Sequence, residues 1–101
     1  MNMERITVED LRARIEAGEE LNLLDVRQQD ERDEIAIKPS LFIPLNELPE
    51  RIAELDHLRN SEIIIYCRSG NRSGQARMFL DLSGFTNVRN LFGGMLAWAK
   101  Q

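Results

Sequence analysis

Short apolar runs alternate with amphipathic segments along the chain, and each run carries its own punctuation. Ile6 belongs to a short strand. Thr7 follows as a helix N-cap, with Asp10 three residues on in a variant of the capping box. Leu11 and Ile15 repeat at helical spacing, and Gly18 stops the helix. "LNLLDV" reads as a strand ending near Asp25, and "QQDERDE" as a short exposed helix. Lys38-Pro39-Ser40 is a turn, and "LFIPL" an extended segment broken by Pro44. Pro49 suits the first position of the next helix, whose apolar face holds Ile52 and Leu55. "EIIIYC" is a continuous, mostly β-branched run of the kind found in strands covered on both faces.

The remainder repeats the alternation. Ser73 is placed to cap a helix with Ala76, Phe79 and Leu80 facing inward, and Gly84 ends it. "TNVRNL" is a further strand, Gly93-Gly94 a tight turn, and "MLAWAK" a terminal helix anchored by Trp98. Strands over residues 22–26, 42–44, 62–66 and 87–91 therefore alternate with helices. The pattern predicts the α/β class, with a mainly parallel sheet and helices on both faces. Ligands of such sheets bind outside the carboxyl ends of the strands. Cys67 lies at one such end, and Asp25 with Arg27 at another.

Length and composition narrow the class. With 101 residues, 43% of them hydrophobic and 30% charged, one globular domain over residues 1–101 is expected. No apolar run approaches the roughly 18 residues of a membrane-spanning helix, and the N-terminus lacks a signal-peptide core. One cysteine allows no internal disulfide, which fits a reducing cytoplasm. A formal net charge of -4 argues against nucleic acid or an anionic membrane as partner. Nothing in the sequence demands more than a monomer. The acidic balance is not uniform, however: residues 67–80 contain Arg68, Arg72 and Arg77 and no acid.

That basic segment surrounds the only thiol, in "IIIYCRSGNRSG". A lone cysteine ordinarily packs as a small hydrophobe. Here Gly70 and Gly74 relax the backbone, so that consecutive N–H groups can converge on one point. The following helix adds its partial positive charge, and Arg68 and Arg72 add full charges. These features favour a thiolate, hence a nucleophilic cysteine in an anion-binding loop. Arg72 is the fifth residue after Cys67, a C-x4-R spacing. Cysteine-dependent phosphatases use C-x5-R to wrap a tetrahedral phosphoryl group, and the sixth position here is Ser73. The shorter loop makes a smaller cup, suited to one added sulfur atom.

These residues resemble the single-domain rhodanese-like sulfurtransferases. "LLDVR" is similar to that family's aspartate-bearing strand end and "IPLNELPERIAEL" to its central segment. "IIIYCRSGNRSG" is similar to its active-site loop, and "GFTNVRNLFGGMLAWAK" to its closing strand and Trp-bearing helix. The resemblance implies a three-layer α/β/α sandwich around a parallel five-stranded sheet, and double-displacement chemistry without metal or organic cofactor. Cys67 would take a sulfane sulfur from thiosulfate or a persulfide donor. It would pass that sulfur to a thiophilic acceptor, cyanide in an assay or a thiol in the cell, which a partner protein can also bear. By position, Arg68, Ser69, Gly70, Asn71 and Arg72 form the cradle, and Arg68 meets the anionic donor. Arg72 either contacts the anion or pairs with a carboxylate such as Asp25; the second role is favoured, because a buried guanidinium needs an acid. Asp25, Arg27 and Ser73 are supporting.

One segment departs from the family. Where its members usually read "EGHIPGAxNI", this chain reads "EIAIKPSLFI", with Ala36 at the histidine position and Ile35 at the first glycine. Arg32 stands where an aromatic is common. The departure bears on loop bracing and substrate access, and it motivates an alternative reading as a binding or regulatory module without turnover. Phosphatase or arsenate-reductase chemistry is a third reading, opposed by the C-x4-R spacing. The single histidine, His57, falls at a helix end, in a capping or exposed role. Phe79 and Trp98 are expected in the core, with Met78 as filler beside it.

Overall fold

The computed structural model describes residues 4–100. Five strands, β1 (Arg5–Ile6), β2 (Leu23–Asp25), β3 (Leu41–Phe42), β4 (Glu62–Tyr66) and β5 (Asn87–Leu91), form one parallel sheet in the order β1-β5-β4-β2-β3. β4 and β5 have the expected bounds. β2 is one residue shorter at each end than expected, and β3 starts one residue earlier. Pro44 explains the early stop of β3: it brings no N–H, although Ile43 and Leu45 on either side still donate to the Asp25 and Val26 carbonyls.

The helices are α1 (Val8–Glu16), α2 (Gln29–Glu34), α3 (Leu48–Arg51), α4 (Asn71–Leu82) and α5 (Gly94–Trp98). Thr7 caps α1 as expected, its hydroxyl accepting the Asp10 N–H at 3.1 Å. The expected helix from Pro49 is only four residues of α-helix, continued as 3₁₀ turns over Ile52–Leu58. Ser73 does not cap α4. The cap is Gly70, at φ +110°, a left-handed backbone that glycine adopts without strain, and the helix begins at Asn71. The turn into the helix thus comes three residues before Ser73, whose hydroxyl is released for another contact.

Side chains alternate across β4 and build a core on each face. Ile63, Ile65 and Cys67 pack with Leu24, Leu48, Ala76, Leu80 and Phe85. Ile64 and Tyr66 pack with Ile6, Leu11, Leu91 and Met95 on the other side, with Trp98 half-buried against them. Phe79 is likewise half-buried against the first core, whereas Met78 is 59% exposed and fills nothing. Helices therefore cover both faces. The chain leaves β2 for the edge strand β3 but leaves β4 for β5 on the opposite side, so the sheet order reverses between the carboxyl ends of β2 and β4. Such a reversal opens a crevice at the strand ends. Asp25 and Cys67 flank it.

Candidate active site

Cys67 leaves β4 buried, with 1% of its surface exposed. Its sulfur accepts the Gly70 N–H at 3.1 Å and lies 3.2 Å from the Ser73 hydroxyl. Burial opposes ionisation here. The Ser73 hydroxyl, with the backbone N–H groups of Ser73, Gly70 and Ser69, outweighs it, and the thiol is held below its ordinary range. The loop is braced from behind by α5. Met95 and Leu96 donate their N–H groups to the Cys67 and Arg68 carbonyls, each at 2.9 Å. Gly94 makes that approach possible: a Cβ there would sit 2.6 Å from both carbonyl oxygens.

Arg68, Ser69 and Asn71 are exposed. The Arg68 guanidinium makes no hydrogen bond or ion pair among the described residues and lines a cleft of about 240 Å³ with Arg27, Ile35 and Leu96. On the other side of the loop, Ser69, Gly70 and Asn71 border a cleft of about 440 Å³ with Asn90 and Phe92. The exposed apolar side chains Ile35, Phe92 and Leu96 thus lie on the rims of these clefts.

Arg72 does pair with a carboxylate, but not with Asp25. Its fork closes on Glu31 of α2, with hydrogen bonds of 2.7 and 2.8 Å. Asp25 is already engaged. Its carboxylate accepts Arg27 at 3.0 and 2.9 Å and Arg32 at 3.1 Å. Arg27 also reaches the Ile35 carbonyl at 2.6 Å, tying the crevice to the unusual segment. Asp25 and Arg27 are almost wholly buried, at 0% and 3% exposure, which suits a charge pair whose hydrogen bonds are met.

The departure over residues 35–41 carries its own bracing. Arg32 donates to the Ser40 carbonyl at 2.9 Å and to its hydroxyl at 3.0 Å, and stacks over Phe42. The Tyr66 hydroxyl accepts the Ile37 N–H at 3.2 Å and lies 3.1 Å from the Ser40 hydroxyl. A guanidinium and a phenol, drawn from α2 and β4, therefore fix the segment. His57 is exposed beside Leu21, Asn22 and Ser40, at the amino ends of β2 and β3 and away from Cys67. Among the described residues no group of three or more His, Cys, Asp or Glu is placed to hold a metal ion, and no helix is long and apolar enough to cross a membrane.

The sequence reading gives no role at the site to four residues found there: Glu31, Arg32, Asn90 and Gly94. Glu31 is one of several acids in a charged run, with nothing in the run to single it out. Gly94 has a signal, a second glycine beside a turn glycine. Asn90 reaches the loop through sheet register alone, opposite Ile65 of β4.

The Rhodanese-like domain model matches residues 7–101. The chain belongs to this family. YtwF of Bacillus subtilis is 40% identical to this rhodanese-like chain over 98 residues, covering 97% of it and 92% of YtwF. A protein of Allochromatium vinosum named "Sulfurtransferase" is 37% identical over 95 residues, covering 94% of this chain and 87% of its own. Among solved structures, the human single-domain sulfurtransferase TSTD1 superposes with a TM-score of 0.83 at 25% identity, covering 97% of this chain and 96% of that one. The three-layer rhodanese fold is thus established. Relatives that carry the sulfurtransferase name support a rhodanese-type sulfurtransferase role.

Proposed function

We propose that this rhodanese-like protein transfers a sulfane sulfur through a persulfide on Cys67, with thiosulfate or a persulfide as donor. The observation that carries the reading is the Cys67 sulfur held by the Gly70 N–H and the Ser73 hydroxyl, on a loop whose Arg68 guanidinium has no partner among the described residues. With thiosulfate, the Cys67 thiolate attacks the sulfane sulfur. A sulfur–sulfur bond forms to Cys67, the bond within thiosulfate breaks, and its electron pair leaves with sulfite. An acceptor thiolate or cyanide then attacks the outer sulfur and expels the Cys67 thiolate. Arg68 meets the anionic donor and the departing sulfite, while the loop N–H groups hold the sulfur.

Other features favour sulfur over phosphoryl transfer. Arg72 is engaged by Glu31, and the sixth residue after Cys67 is a serine within α4. The braced 35–41 segment also weakens the case for a module that has lost turnover. The apolar rims at Ile35, Phe92 and Leu96 suit an acceptor or donor sulfur presented by a thiol- or persulfide-bearing protein. Thiocyanate formation from thiosulfate and cyanide tests the reading. Turnover that vanishes in Cys67→Ser supports it, and equal turnover in both proteins refutes it.

A further inference from the structure

The Ser73 hydroxyl has one proton and two neighbouring acceptors. It lies 3.2 Å from the Cys67 sulfur and 2.6 Å from Oδ1 of Asn90, and Ser73 is wholly buried. The orientation of the Asn90 amide is set by its other end, where Nδ2 donates to the Gly70 carbonyl at 3.1 Å. A flipped amide would turn its oxygen toward that carbonyl, acceptor against acceptor. Oδ1 must therefore face Ser73. Two oxygens 2.6 Å apart need a proton between them, and Ser73 supplies the only one.

We propose that Asn90 is a positioning residue whose carbonyl oxygen competes with the Cys67 sulfur for the single hydroxyl proton of Ser73. While Cys67 is a thiol, the proton points at Asn90, and the S–H can donate to the Ser73 oxygen. When the sulfur becomes an anion, the Ser73 proton turns to it, and Oδ1 loses its donor. Once the sulfur is bonded to a second sulfur it is uncharged, and the proton returns to Asn90. Asn90 thus makes the free thiolate less comfortable than the loop alone would, which keeps it nucleophilic and favours the sulfur-loaded state. The last consequence rests on the sulfur-transfer reading; the competition itself rests only on the geometry.

The charged groups on the elements around Cys67 stay the same when this proton moves. They include Arg68 on the loop, Arg72 and Arg77 on α4 with Glu4 beside Arg77, Asp25 and Arg27 at the end of β2, Glu31, Arg32 and Glu34 on α2, Arg5 on β1, and the Arg89–Glu62 pair between β5 and β4. Asn90 is neutral, so replacing it changes hydrogen bonding and no charge. Leucine has nearly the same shape, and the Gly70 carbonyl keeps its bond from the Gly74 N–H at 2.9 Å when Nδ2 is lost.

The test is the pH dependence of Cys67 alkylation by iodoacetamide in a double-mutant cycle of Asn90→Leu and Ser73→Ala. Ser73→Ala is expected to raise the midpoint. Asn90→Leu is expected to lower it by roughly half a unit to one unit, giving about three- to tenfold faster alkylation well below the midpoint. In the Ser73→Ala background Asn90→Leu should lower it no further, because the contested proton is gone. An unchanged or raised midpoint in Asn90→Leu, or the same lowering in both backgrounds, overturns the proposal. Where the variants fail to fold, the wild-type protein decides. The side-chain carbonyl ¹³C resonance of Asn90 must titrate with the Cys67 midpoint, and a resonance that stays put refutes the competition. Both readouts are independent of turnover. A protein that behaves as expected here yet never gains a sulfur would sink the sulfur-transfer reading and leave the role of Asn90 standing.

Discussion

The Arg72 guanidinium lies fork to fork against the Glu31 carboxylate and joins the first turn of α4 to α2 across the crevice. Glu31 also accepts the Gln28 N–H at 2.9 Å, so one carboxylate caps its own helix and anchors the neighbouring loop. The paired guanidinium, opposed by partial burial and helped by the Gln28 N–H, brings the Glu31 carboxyl down to about 2.

A depressed carboxylate stabilises the fold above its unfolded-state value and loses that contribution as pH falls through the folded value. Glu31→Gln should therefore cost roughly 0.5–1 kcal/mol at pH 7, since the pair is partly exposed. The difference from wild type should shrink as pH falls from 4.5 toward about 2. Urea unfolding at several pH values measures this. A cost that grows on acidification would show that the pair does not act as described.

Asp25 and Arg27 have no such solvent relief. Removing Arg27 takes two of the three guanidinium hydrogen bonds from the buried Asp25 carboxylate and leaves it Arg32 alone, a loss approaching the about 3–5 kcal/mol of a broken buried pair. Arg27→Ala is expected near that range by denaturant unfolding. Arg32→Ala should cost less, because Arg32 is 17% exposed and Arg27 still holds the carboxylate. Equal losses in the two variants would contradict this division of roles.

Gly94 combines a φ of +58° with the closest backbone approach at the site. Gly94→Ala should push α5 away from the Cys67 and Arg68 carbonyls. Slower Cys67 alkylation at fixed pH, together with a lower melting temperature, is the expected result. A variant with wild-type alkylation and stability would mean that the loop does not depend on this contact.

These sites divide cleanly by what the chain shows locally. The β-branched run at 62–66, the strand at 87–91 and the Cys67 loop are written in consecutive residues, through periodicity and turn chemistry. The start of α4 was legible only to within a turn: the sequence pointed to Ser73, and the positive φ of Gly70 puts the cap three residues earlier. The partner of Arg72 was not legible, because it depends on how α2 crosses the crevice and on Asp25 being taken by two other arginines. Arg32 looked like a simple loss of an aromatic. Only the folded path of residues 35–41 shows it gripping Ser40 and stacking on Phe42.

Arg68 is the exposed cation of the loop with no partner among the described residues. Arg68→Ala should raise KM for thiosulfate several-fold while leaving kcat nearly intact, and should change KM less for an uncharged persulfide donor. Steady-state kinetics with both donors separates the cases. Equal losses with charged and uncharged donors would remove Arg68 from donor binding.

The most direct measurement is whole-protein mass spectrometry before and after incubation with thiosulfate. A gain of about 32 Da, one sulfur atom, is expected on wild type, reversed by cyanide and absent from Cys67→Ser. A wild-type mass that stays unchanged, or the same gain in Cys67→Ser, would contradict sulfur transfer through Cys67.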